Sequence, residues 1–203
     1  MTAAGWNPLR SAALTDVVFL VEMAPSSLAP VTIPEMHLYA YLGNLVALKG
    51  GVPVADWGYG FAVTADGFPF ADALDFATSK LIQRSIVVSE HGALQRGEEL
   101  FAAEVEVLNG LVQSARRKEW LRGSLACALQ LPNGAVRDAI NHSPGVANNL
   151  RHGRAAGLLR KAEVEEIYDE FALVEKLLGP EAEERLQAIV VWLSARVVSD
   201  GRP

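Results

Sequence analysis

Residues 66–96 read DGFPFADALDFATSKLIQRSIVVSEHGALQR, and this stretch decides the fold. Asp66-Gly67 is a turn signal, because glycine takes left-handed backbone without a steric cost. Phe70, Leu74, Ala77 and Leu81 then recur at helical spacing, which predicts a helix running to Gln83. Ser85-Ile86-Val87-Val88-Ser89 is short and β-branched, the composition of a strand. Glu90-His91-Gly92 reverses the chain, and Ala93-Leu94-Gln95 is expected to return beside it.

Toward the N-terminus, Gly50-Gly51 marks the end of an earlier helix. Thr32 with Glu35 three residues on forms a capping-box pattern, and Pro34 suits a first helical turn. Leu38, Tyr41, Leu42, Leu45 and Val46 supply its stripe. Tyr59, Phe61 and Val63 alternate with small residues, so Val52–Val63 reads as extended. Ala24–Pro34 is rich in Pro and Ser and reads as a loop, and Asp16–Val21 as a short buried strand or one helical turn, its Val-rich content favouring the strand. Helix, extended hairpin, helix and strand–turn–strand follow in the order of a winged helix. The helix over Phe70–Gln83 takes the recognition position and Ile86–Leu94 forms the wing.

Toward the C-terminus the signal is helical. Phe101, Val105, Leu108, Val112 and Ala115 share a face of one expected helix, opened by Glu98-Glu99 and closed by Arg116-Arg117-Lys118 as the helix dipole favours. Trp120, Leu121, Leu125 and Leu129 predict a further helix ending before Pro132, and Ala135–Ile140 a short one. Val164, Ile167, Tyr168, Phe171, Val174 and Leu178, then Leu186, Ile189, Val190, Leu193 and Val197, give two more stripes. The expected class is mainly α with a small β element: a winged-helix-like N-terminal module packed on a C-terminal helical bundle. Three segments follow: an N-terminal strand and loop (1–32), the winged-helix-like module (33–97) and a helical region (98–198).

Half of the 203 residues are hydrophobic, enough for a substantial core. No apolar run reaches the length of a membrane span, and Cys127 is the single cysteine, so a cytoplasmic protein is expected. The net charge of −6 is unevenly spread: −7 over residues 1–115, +7 over 116–161 and −6 over 162–203.

Reactive chemistry finds little support. No phosphate-binding glycine motif, HExxH or GxSxG occurs, and no cofactor or metal is expected. Cys127 lacks a neighbouring cation and reads as a small hydrophobe. With His142 and His152 it is the first candidate should an enzyme site assemble in space. The basic centre is more informative. Arg116, Arg117, Lys118 and Arg122 form one cluster, and Arg151 and Arg154 lie in a second, beside Asn148-Asn149 and Gly153. Guanidinium groups near a polar turn suit phosphates or acidic protein surfaces. Trp57, in Trp57-Gly58-Tyr59-Gly60-Phe61, is the candidate aromatic anchor for a partner.

Leu38-Tyr39-Ala40-Tyr41-Leu42, Gly50-Gly51-Val52-Pro53-Val54, Phe61-Ala62-Val63 and Asp66-Gly67-Phe68-Pro69 together resemble the opening of Panacea-type bacterial regulators and antitoxin-like modules. With Ile86-Val87-Val88 and the helical tail, the layout also resembles winged-helix accessory subunits encoded between an ATPase and an effector in bacterial three-gene defence operons. The resemblance covers about residues 35–96. It implies partner binding rather than catalysis, and no catalytic residue is carried over. The expected function is therefore a non-catalytic adaptor binding a protein subunit, such as an ATPase, or a second copy. The alternatives are a DNA-binding regulator and an enzyme with a spatially assembled site.

Overall fold

Helix α1 (Pro8–Met23) occupies the stretch whose valines suggested a strand. The structure, a computed structural model, describes residues 8–142, 146, 156–178 and 189–195. Thr15 through Val21 of α1 are all buried. A helix covered on every side needs no polar face, so the helical period that would reveal it is erased. Burial between α3 (Asp72–Gln83) and α5 (Val112–Gln130) outweighs the small propensity penalty of adjacent valines.

Helix α2 (Ile33–Lys49) is the second all-round buried element: every residue from Met36 to Leu48 is shielded. It begins where the capping box places it. Glu35 N donates to Thr32 Oγ1 at 3.4 Å, and Thr32 N donates to Glu35 Oε2 at 2.9 Å. Gly43 lets α2 approach α5, because a Cβ there would meet Leu121 Cδ2 at 3.0 Å and the Trp57 ring at 3.2 Å.

Two small antiparallel sheets flank these helices. In the first, β1 (Val31–Thr32) pairs with β5 (Ala93–Arg96), and β5 with β4 (Val87–Glu90). His91 and Gly92 both have positive φ, as a two-residue hairpin turn requires. In the second, β2 (Phe61–Val63) lies between β3 (Pro69–Phe70) and β6 (Ala156–Leu158). A 3-10 turn at Val54–Trp57 precedes β2, where the sequence suggested extended chain.

The helix expected from Glu98 to Lys118 is two helices: α4 (Glu99–Asn109) and, after Gly110-Leu111, α5. Arg116, Arg117 and Lys118 therefore lie near the start of α5, where the dipole does not favour cations. α5 continues through Trp120–Leu129, expected as a separate helix, and α6 (Asn133–Asn141) follows. α7 (Lys161–Leu178) packs its Ile167, Phe171 and Val174 inward, and residues 189–195 are helical. Lys49 pairs with Glu175, joining α2 to α7. The described chain is mainly α with small antiparallel β elements, as expected, and none of its helices is long and apolar enough to cross a membrane.

Candidate functional site

A lone acid before an apolar run must find a partner or lose its charge. Asp16, fully buried on α1, finds Arg117 of α5. The guanidinium grips the carboxylate with both ends: Nε donates to Oδ1, and Nη2 donates to Oδ2 at 2.7 Å. Tyr59 donates its hydroxyl to the same Oδ2, and Arg117 Nη1 donates to the Trp57 carbonyl at 2.8 Å. The guanidinium also stacks 4.0 Å from the Trp57 ring, a cation–π contact out of bulk water. Burial pushes the Asp16 carboxyl up, while Arg117 and Tyr59 pull against it. Burial works to lower Arg117 as well, but the Asp16 carboxylate holds it above its ordinary value. Tyr59 is raised by its burial and by the charge on Asp16. The cluster ties α1, the 3-10 turn and α5 together.

Above it lies a groove of about 1100 Å³. Its walls include Thr15, Asp56, Leu111, Val112, Arg116 and Trp120.

The sequence-selected residues separate in space. Arg117 faces inward and is committed to Asp16, so the expectation that it meets phosphate or an acidic partner at the surface is corrected: a buried carboxylate claims it. Lys118 is drawn the same way, with Nζ 2.8 Å from the Glu22 carboxylate, 2.9 Å from Asn109 Oδ1 and above the Phe19 ring. Arg116 and Arg122 are exposed, but their spacing turns them to different sides of α5. Arg151, Arg154 and His152 lie outside the described residues. Trp57, 1% exposed, is a core residue between Arg117, Tyr59 and Trp120, which corrects its reading as a surface anchor: the ring is already covered. Cys127 is buried and its thiol pushed up to about 12 by that burial, whereas His142 is exposed just past α6. A sealed thiol and an exposed imidazole share no reaction surface. Among the described residues no group of three or more His, Cys, Asp or Glu is placed to hold a metal.

The surface that sequence reading missed is on α4. Phe101 and Leu108 bury the inner face, as its stripe predicts. Yet Leu100 (57% exposed) and Val107 (63%) stand on the outer side with Ala103 between them. Leu111 and Val112 are also exposed and line the groove, Val112 being 93% exposed. The available signal was apolar residues at 100, 103 and 107, a second stripe at helical spacing. The chain matches no family model, no curated protein and no solved structure.

Proposed function

We propose that this chain is a non-catalytic accessory subunit that docks on a protein partner through α4 and the beginning of α5. The carrying observation is the exposure of two sets of large aliphatic side chains, Leu100 and Val107 on α4 and Leu111 and Val112 on the wall of the groove. Large aliphatic groups clustered beside a concavity gain most when another protein covers them.

The N-terminal half supports a winged-helix-like frame for that subunit. The succession α1–β1–α2–α3–β4–β5 and the strand order β1-β5-β4 agree with it, with the 3-10 turn, β2 and β3 inserted before α3. In this frame α3 takes the recognition position, and its exposed residues include Asp72 and Asp75 against Lys80. Carboxylates repel a phosphate backbone, which favours protein over nucleic acid as partner. The resemblance of residues 35–96 makes an ATPase-containing bacterial complex the first setting to test.

The test is co-expression with the neighbouring genes, followed by purification through a tag on this chain. A stoichiometric second protein is expected, lost in Leu100→Glu/Val107→Glu while the circular dichroism of the variant stays unchanged. A solitary chain, a complex indifferent to those substitutions, or duplex DNA binding with steep salt dependence would overturn the proposal.

A further inference from the structure

We infer that the outer face of α4 receives an amphipathic helix with an apolar stripe flanked by Lys or Arg. This inference rests on the docking role proposed above and names the chemistry of its partner.

The shape of the site comes first. Leu100, Ala103 and Val107, all exposed, follow the spacing at which one helix presents a ridge to another. The buried Phe101 and Leu108 lie on another side of α4, and the residues of the ridge are exposed. An elongated apolar strip of this kind is matched by a second helix whose own apolar residues recur at the same interval.

Charge then selects among helices. From Glu98 to Val112 the chain holds Glu98, Glu99, Glu104 and Glu106 and no Lys or Arg. Helical spacing sets Glu104 on one flank of the ridge and Glu99 and Glu106 on the other. An incoming helix thus meets carboxylates on both sides of its contact, so cationic flanks complement it and anionic flanks do not. The same rule disfavours pairing of α4 with α4 of a second copy, which sets glutamates against glutamates. It also disfavours an anionic membrane or a nucleic acid, whose charge repeats that of α4.

The test uses two synthetic fluorescein-labelled helices of about five turns, with identical leucine stripes and either lysine or glutamate at the flanks. Their anisotropy is read against the full chain at low and at physiological salt. The lysine peptide is expected to bind roughly tenfold more tightly than the glutamate peptide, and Glu99→Lys/Glu106→Lys to reverse that preference. Leu100→Ser/Val107→Ser is expected to weaken the lysine peptide by roughly tenfold or more with unchanged circular dichroism. Equal binding of both peptides, or a preference indifferent to charge reversal, overturns the inference. So does a dimer seen in sedimentation velocity that the lysine peptide cannot displace, because a second copy then owns the face. If peptide selectivity fails while the native complex still depends on Leu100 and Val107, the inference falls and the accessory role stands. If the native complex is indifferent to them, the role falls too.

Discussion

Replacing Arg117 by Met removes the group that holds the Asp16 carboxylate from both sides and leaves Tyr59 donating to it. Breaking a buried ion pair from one side costs about 3–5 kcal/mol, because an uncompensated charge stays behind. The Asp16 side chain is 0% exposed and that of Arg117 11%, so water cannot take over at the acid's end. For a chain of this size each kcal/mol lowers Tm by about 2–4 °C, so a fall of roughly 6–20 °C is expected. The deficit also depends on pH. Burial already pushes Asp16 up, and without Arg117 its folded value rises further above the unfolded one. A carboxyl raised on folding is fully stabilising below its unfolded value and loses that contribution as pH rises through its folded value. The Arg117→Met deficit should therefore be smaller near pH 4 than near pH 8. Urea unfolding followed by circular dichroism at both pH values measures it, with Asp16→Leu and the double variant completing a cycle. The double variant, which replaces both charges by apolar groups, should fall within about 1–2 kcal/mol of wild type. An Arg117→Met single variant within about 1 kcal/mol of wild type at neutral pH would refute the reasoning, as would a double variant worse than either single. The cycle also separates folding from binding, since any lost interaction in an Arg117 variant would otherwise be mistaken for a docking effect.

His37 accepts from Ala71 N at 3.2 Å through Nδ1 and is held at about 4 by burial, against an ordinary 6.5. A histidine depressed on folding stabilises above its unfolded value, so roughly 3 kcal/mol should be lost as pH falls from 6.5 to 4. His37→Phe should flatten that part of the urea-midpoint profile, and an unchanged acid limb would contradict the assignment. At Gly97 an added Cβ would lie 2.3 Å from the Ser85 carbonyl oxygen and 2.5 Å from that of Ile86. Gly97→Ala should cost about 1–3 kcal/mol by prising the hairpin from its base. Gly134→Ala, with nothing within 4 Å, should be neutral or slightly stabilising, so equal effects in thermal melts would count against the contact. Cys127 should resist a disulfide reagent at pH 8 until urea unfolds the chain, and rapid native labelling would show that it is not buried.

What could be read from residues alone was local. The capping box at Thr32, the end of α2 at Gly50-Gly51 and the β4–β5 hairpin rest on side chains a few positions apart, so short stretches suffice. α1 was hidden because burial of every residue from Thr15 to Val21 removed its polar face there. The α4–α5 break was hidden because the stripe through Phe101, Leu108, Val112 and Ala115 continues in the sequence across Gly110-Leu111. The basic cluster misled for a related reason: its neighbours suggested a free patch, whereas Arg117 and Lys118 are explained by Asp16 and Glu22, on a helix 101 and 96 residues earlier in the chain. Long-range pairing leaves no local pattern. The apolar ridge was visible at Leu100 and Val107, but only the fold tells which of two stripes faces out.

Strand β6 reaches back across close to half the chain to pair Leu158 with Phe61. A ribosome adding about 5–20 residues per second delivers β2 roughly 5–20 s before its partner emerges. Through that interval the nascent chain carries β2 with one bare edge, a template that other unfinished chains can extend. A fragment terminated before Ala156 would keep that vulnerability permanently, so the first half of this protein is a poor unit to express alone.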